Sequence, residues 1–126
     1  MQEVIGREQW LDFVKEFNHR NELRPTRLQV LGAEIGAQEE ERLLPFTGIS
    51  LEVKGKDAPR VEITLGGETA KEERHLTHTI SRVNSIMRKV GVDLREEALL
   101  IVDQDGVETL LLFETLPELA PAEADG

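Results

Sequence analysis

From Ile49 to Phe113, apolar side chains recur at every second position in one short run after another, and this rhythm limits the fold more than any other feature of the chain. A strand sends successive side chains to opposite faces, whereas a helix gathers every third or fourth residue on one side. After Gly48, Ile49, Leu51 and Val53 alternate with Ser50, Glu52 and Lys54, and Val61, Ile63 and Leu65 then alternate with Glu62 and Thr64. These runs are predicted to pair as a hairpin, with its loop at 55–60 and Gly66-Gly67 closing the second strand. Leu76, His78 and Ile80 alternate with Thr77, Thr79 and Ser81 as a further strand. Within 84–90, Val83, Ile86, Met87 and Val90 fit one helical face as well as a strand, and their branched side chains tilt the reading to strand. The runs 98–102 and 107–113 flank Gln104-Asp105-Gly106, a hairpin signal, because glycine accepts a positive φ. Leu110, Leu111, Leu112 and Phe113 are consecutive, which implies a strand covered on both faces, by the N-terminal helix on one of them.

The helix itself is expected at 7–20, where Trp10, Phe13, Val14 and Phe17 recur at helical spacing between Glu8, Asp12, Lys15 and Glu16. That stripe holds the only Trp and two of the four Phe, so it is expected to cover an open face or end of the sheet. After Pro25, Leu28 and Val30 suggest a short strand ending in the glycine-containing stretch 32–36, and 38–44 is read as a second strand limited by Pro45. The residues 68–74 are expected as an exposed charged loop. The expected architecture is α+β: an N-terminal amphipathic helix packed on a curved antiparallel β-sheet, or small partly open β-barrel, of about six to eight strands. One globular domain is expected over 1–116, followed by an acidic flexible tail at 117–126.

Charge and cysteine content exclude several classes. Asp and Glu number 25 against 15 Lys and Arg, a formal charge of -10, so a polyanion such as DNA or RNA is repelled at long range. Arg20, Arg24 and Arg27 form the one modest basic cluster, read as a solvated helix end and loop. With no cysteine there is no disulfide, thiolate nucleophile or cysteine-bound metal. Neither a secretory leader nor an apolar run of bilayer length is evident, so the expected address is the cytoplasm, with no membrane and no nucleic-acid partner.

Candidate chemistry is sparse. Glu72, His75 and His78 would share one face if helical and could then present an acid and two imidazoles to a metal. In a strand, residues three apart point to opposite sides, and the neighbouring Leu76, Thr77, Thr79 and Ile80 favour strand, where His78 becomes a half-buried imidazole beside Leu76 and Ile80. No catalytic residue and no cofactor is therefore assigned. Ser50, Ser81 and Ser85 lack a nucleophile-elbow setting, and Gly32 with Gly36 lacks the Lys-Ser/Thr of a phosphate loop. Asp103 to Gly106 resembles the start of a calcium loop without the downstream ligands. Glu39-Glu40-Glu41, Glu72-Glu73 and Glu96-Glu97 read as solvated charge runs.

Arg7, Trp10, Phe13 and Phe17, with Leu31-Gly32, Ile35-Gly36-Ala37-Gln38, Leu44-Pro45, Gly48-Ile49, His75, Thr77-His78-Thr79-Ile80, Glu97-Ala98-Leu99, Asp105-Gly106 and Leu110-Leu111, resemble an uncharacterised bacterial family of about this length, a domain of unknown function. The resemblance covers most of the chain and implies a shared fold, with no activity or site to carry over. The functional expectation is a non-catalytic protein-interaction module, self-associating through an edge strand. The alternative is a small-molecule or metal-binding β-barrel domain, as a binding protein or an enzyme, with its site at the barrel mouth near His75, His78 and Arg82.

Overall fold

The computed structural model describes residues 1–32, 36–39, 43–66 and 75–114, with side chains left out for 36–39. Among these residues nine strands flank a single α-helix: β1 (Gln2–Ile5), α1 (Trp10–Asn21, entered through a 3₁₀ turn at Arg7–Gln9), β2 (Pro25–Gly32), β3 (Gly36–Glu39), β4 (Leu44–Glu52), β5 (Arg60–Gly66), β6 (His75–Ile80), β7 (Val83–Val90), β8 (Glu96–Asp103) and β9 (Glu108–Phe113). Eight of them form one antiparallel path, β1-β7-β8-β9-β2-β4-β5-β6, and β3 pairs with β2 beside it. The path does not close, so β1 and β6 stand at its two ends. The expected α+β architecture, with the helix on an antiparallel sheet, is the one found.

Cross-strand register sorts the side chains into two faces, since directly opposed residues point the same way. The inward rows run Ile5–Ile86–Ile101–Thr109 and Arg88–Leu99–Leu111–Leu28, and they continue through Phe46–Leu65 and Ile49–Ile63. These positions, apart from the partly covered Arg88, are buried. α1 packs on this inward side through the stripe seen in the sequence. Phe17 has no exposed surface and its ring lies 5.5 Å from Phe13, 5.5 Å from Phe46 and 5.7 Å from Phe113, so all four phenylalanines meet at one point.

Directional bonds fix how the helix sits. Trp10 Nε1 donates to the Ile5 carbonyl at 3.0 Å, joining the start of α1 to β1. The Asn18 amide donates to Ile49 O and accepts from Ile49 N, both at 2.8 Å, as a neighbouring strand would. At the opposite end of the sheet, Arg82 takes a left-handed backbone (φ 51°), an uncommon conformation for a residue with a side chain. Its N–H donates to Asp57 O and its carbonyl accepts from Gln104 N, so two hairpin tips are joined at one residue.

Several local expectations are corrected. The segment 84–90 is strand throughout, as favoured. The strand expected at 38–44 is instead the end of β3 and the start of β4, with 40–42 outside the described residues. Pro45 lies inside β4, opposite Pro25, where neither ring nitrogen has a hydrogen to contribute and a partner N–H is not needed. β4 ends at Glu52, leaving Val53 half exposed rather than packed. On β9, Leu111 and Phe113 are buried while Leu110 and Leu112 are only half covered on the other face. β1 has no counterpart in the sequence reading. The expectations for 68–74 and for the tail at 117–126 lie outside the described residues.

Candidate functional site

The histidine cluster does not form. His75 is exposed and His78 half-buried on opposite faces of β6, as strand geometry requires, and Glu72 lies outside the described residues. His78 points inward opposite Ile63, with Nε2 at 3.4 Å from the Thr109 hydroxyl. Arg82 lies apart from it, with its guanidinium 3.5 Å from Asp57 and 3.3 Å from Asp105. Among the described residues no three His, Asp or Glu side chains converge to hold a metal ion. Asp103 has a structural occupation: its carboxylate accepts from the N–H groups of Asp105 and Val107, closing the β8–β9 turn.

Burial lowers the proton affinity of His78, because charging the imidazole would require it to lose water. The neutral ring is thus favoured in the folded chain. A base whose folded pKa is depressed contributes its full stability above its ordinary value of about 6.5, and that contribution is lost as pH falls below it. His78→Gln is expected to flatten the decline in melting temperature between about pH 7 and 5. An unchanged slope in the variant would show that another group titrates there.

The charged cluster that does form was not anticipated. Glu96, read as half of a solvated run, is 2% exposed on β8, while its neighbour Glu97 is exposed. Its carboxylate accepts from Arg20 Nη2 at 2.5 Å, from Arg88 Nη1 at 2.8 Å and from Asn21 Nδ2 at 3.2 Å. Arg24 donates to the Glu96 carbonyl at 2.9 Å and to Asn21 Oδ1 at 2.7 Å, and its guanidinium lies 4.5 Å from the centre of the Phe113 ring. Arg20 is therefore a partner of a buried carboxylate, and Arg24 of the backbone that carries it, rather than a solvated helix end. A shift in register between Lys89 and Val90 turns Glu96 inward, towards the last turn of α1. Burial pushes the Glu96 pKa up, but the hydrogen bond and charge of Arg20, with Asn21 and Arg88, outweigh it and hold the group below its ordinary value.

Beside this cluster a cleft of about 340 Å³ opens between α1 and β1, with Phe13 and Ile5 in its lining and Arg20 and Arg88 among its charged groups. Both guanidiniums are already neutralised: Arg88 by Glu3 (2.6 Å) and Glu96, Arg20 by Glu96. Glu8, Asp12 and Glu16 also line it, so the opening is acidic and a poor host for anions.

The outward face of the sheet is of the opposite character. Val4, Met87, Leu100 and Leu110 stand in cross-strand register as one apolar row, which continues to Gln29 on β2 and Glu39 on β3. A parallel row runs Lys89–Ala98–Leu112–Arg27. Val4 is 66% exposed, the other three of the first row are half covered, and α1 lies on the other side. Lys89 of the second row lies 4.0 Å from the Glu97 carboxylate.

No helix among the described residues is long and apolar enough to cross a membrane. Comparison with curated proteins and with solved structures found no match. A family model described as a family of unknown function, DUF5335, matches residues 1–122, in line with the resemblance seen in the residues. With nearly the whole length matched, the chain belongs to that family.

Proposed function

We propose that this chain is a non-catalytic protein-interaction module that self-associates, two copies packing the outward faces of β7, β8, β9 and β2 against each other. The observation that supports this reading is the neutral apolar row Val4–Met87–Leu100–Leu110 on a chain that is otherwise strongly acidic. Apolar side chains grouped on one face of a sheet, away from the core, mark places of association. Two sheets meeting face to face stack about 10 Å apart with interdigitating side chains, a distance that these leucines and Met87 would fill. The four residues of this row carry none of the charge that sets two copies of a chain of formal charge -10 against each other.

Leu110→Lys is the corresponding test. Placing an unpaired ammonium at the centre of the packed faces costs several kcal/mol, which weakens association by about 100-fold or more. The mass measured by light scattering at about 100 µM is expected to halve in the variant, with the circular-dichroism spectrum unchanged, since Leu110 lies outside the buried core. A wild-type mass of 14.2 kDa under the same conditions, or an assembly indifferent to the lysine, would overturn the reading.

A further inference from the structure

We infer that β1 is a second, independent contact between copies: two β1 strands pair antiparallel about a two-fold axis, with Val4 opposite Val4 of the second copy. The direction of the backbone groups carries this. Met1 N donates to Val90 O at 3.0 Å and Val90 N to Met1 O at 2.8 Å, so Met1 and Val90 are a bonded pair of the β1–β7 ladder. Bonded pairs alternate in an antiparallel ladder, which makes Glu3 and Ile5 the next ones and directs the N–H and C=O of Gln2 and Val4 away from β7. β1 ends the strand path and the path is open, so these groups line a sheet edge. Such an edge is a template for another strand.

Side chains select the register and the occupant. The outward-facing residues of β1, Gln2 and Val4, carry no charge, and such an edge suits a copy of itself. Pairing Gln2 with Val4 would set Glu3 directly against Glu3 of the second copy, an unfavourable like-charge pair. Pairing Val4 with Val4 moves Glu3 opposite Ile5 and Gln2 opposite Gly6. Gly6 keeps an extended backbone, φ -62° and ψ 144°, so its N–H can prolong the ladder, while its carbonyl accepts from Gln9 N at 2.8 Å. The apolar row then runs unbroken across the two-fold, from Leu110 of one copy to Leu110 of the other. Where the face-packing axis crosses this one at a right angle, the two contacts close into a four-chain assembly of dihedral symmetry.

The chain has no cysteine, so Val4→Cys supplies a single thiol at an exposed side chain without disturbing the core. Directly opposed Cα atoms in a bonded pair lie about 5.5 Å apart, within reach of a disulfide. Under mild oxidation V4C is expected to form a covalent dimer about tenfold or more faster than V53C, an exposed control on the β4–β5 loop, because pairing raises the local thiol concentration. The same advantage is expected in the L110K background, where the faces no longer pack. Equal rates for V4C and V53C overturn the β1 pairing, and leave that edge to a strand of some other protein, whatever L110K does to the mass. Rapid V4C cross-linking with a mass unaffected by L110K supports the pairing and removes face packing alone.

Discussion

Replacing Phe17 with alanine is expected to lower the unfolding free energy by about 4 kcal/mol, close to the full stability of many domains of this size. Phe17 is wholly buried and is the one ring that touches the other three phenylalanines, from α1 itself, β4 and β9. Its removal leaves a void bounded by the helix on one side and by β4 and β9 on the other. Neither side can close over it easily, because Asn18 fastens the helix to Ile49 one residue further on. Losing the ring also loses its edge-on and tilted ring contacts, each worth roughly 1 kcal/mol beyond area. The melting temperature should fall by about 15 °C, while Leu11→Ala, on the exposed side of the same helix, should change it by no more than about 2 °C. Similar shifts for the two variants in urea and thermal unfolding would mean that α1 contributes little to the core.

The second large effect is expected at Glu96. Deleting its carboxylate in Glu96→Ala leaves Arg20, Arg88 and Asn21 converging on an uncompensated gap, and breaking such a buried pair costs about 3 kcal/mol. The value is set at the lower end because the arginine side chains are 38% and 26% exposed, and water can recover part of their solvation. Glu97→Ala, one residue on and exposed, should cost less than about 0.5 kcal/mol. Acidity provides a separate readout. A carboxylate with a depressed folded pKa contributes stability above its ordinary value of about 4.5, and that contribution is lost as pH falls through the lower folded value. Glu96→Gln should therefore be less stable than wild type near neutrality and show a shallower decline below about pH 4.5. Parallel pH curves for the two proteins would assign the acid sensitivity elsewhere.

What could be seen in the sequence followed from burial. Strands with one packed face, β4 with β5, β6 and the β8–β9 hairpin, declare themselves by alternation, and α1 by its aromatic stripe. β1 escaped because four residues with only Ile5 buried produce no period, and the strand exists through its pairing with β7, more than eighty residues away. Pro45 misled for a related reason, since its meaning depends on Pro25 standing opposite. The Glu96 cluster was hidden twice over: Glu96 and Glu97 look alike in one dimension, and its partners come from α1, from β7 and from the turn leading into β2. A long-range clue did exist in Arg20 and Arg24 at the end of a helix, where cations favour the carbonyl end. The outward face could be glimpsed only in Leu110 and Leu112, because Val4, Met87 and Leu100 join Leu110 through register rather than through sequence.

A stripe of rings lying on a sheet tolerates some rolling of the helix about its axis, since apolar contact has no preferred direction. A bidentate amide does not. By tying α1 to Ile49 at both the strand oxygen and the strand nitrogen, Asn18 removes the rolling freedom and fixes which face of the helix meets the sheet.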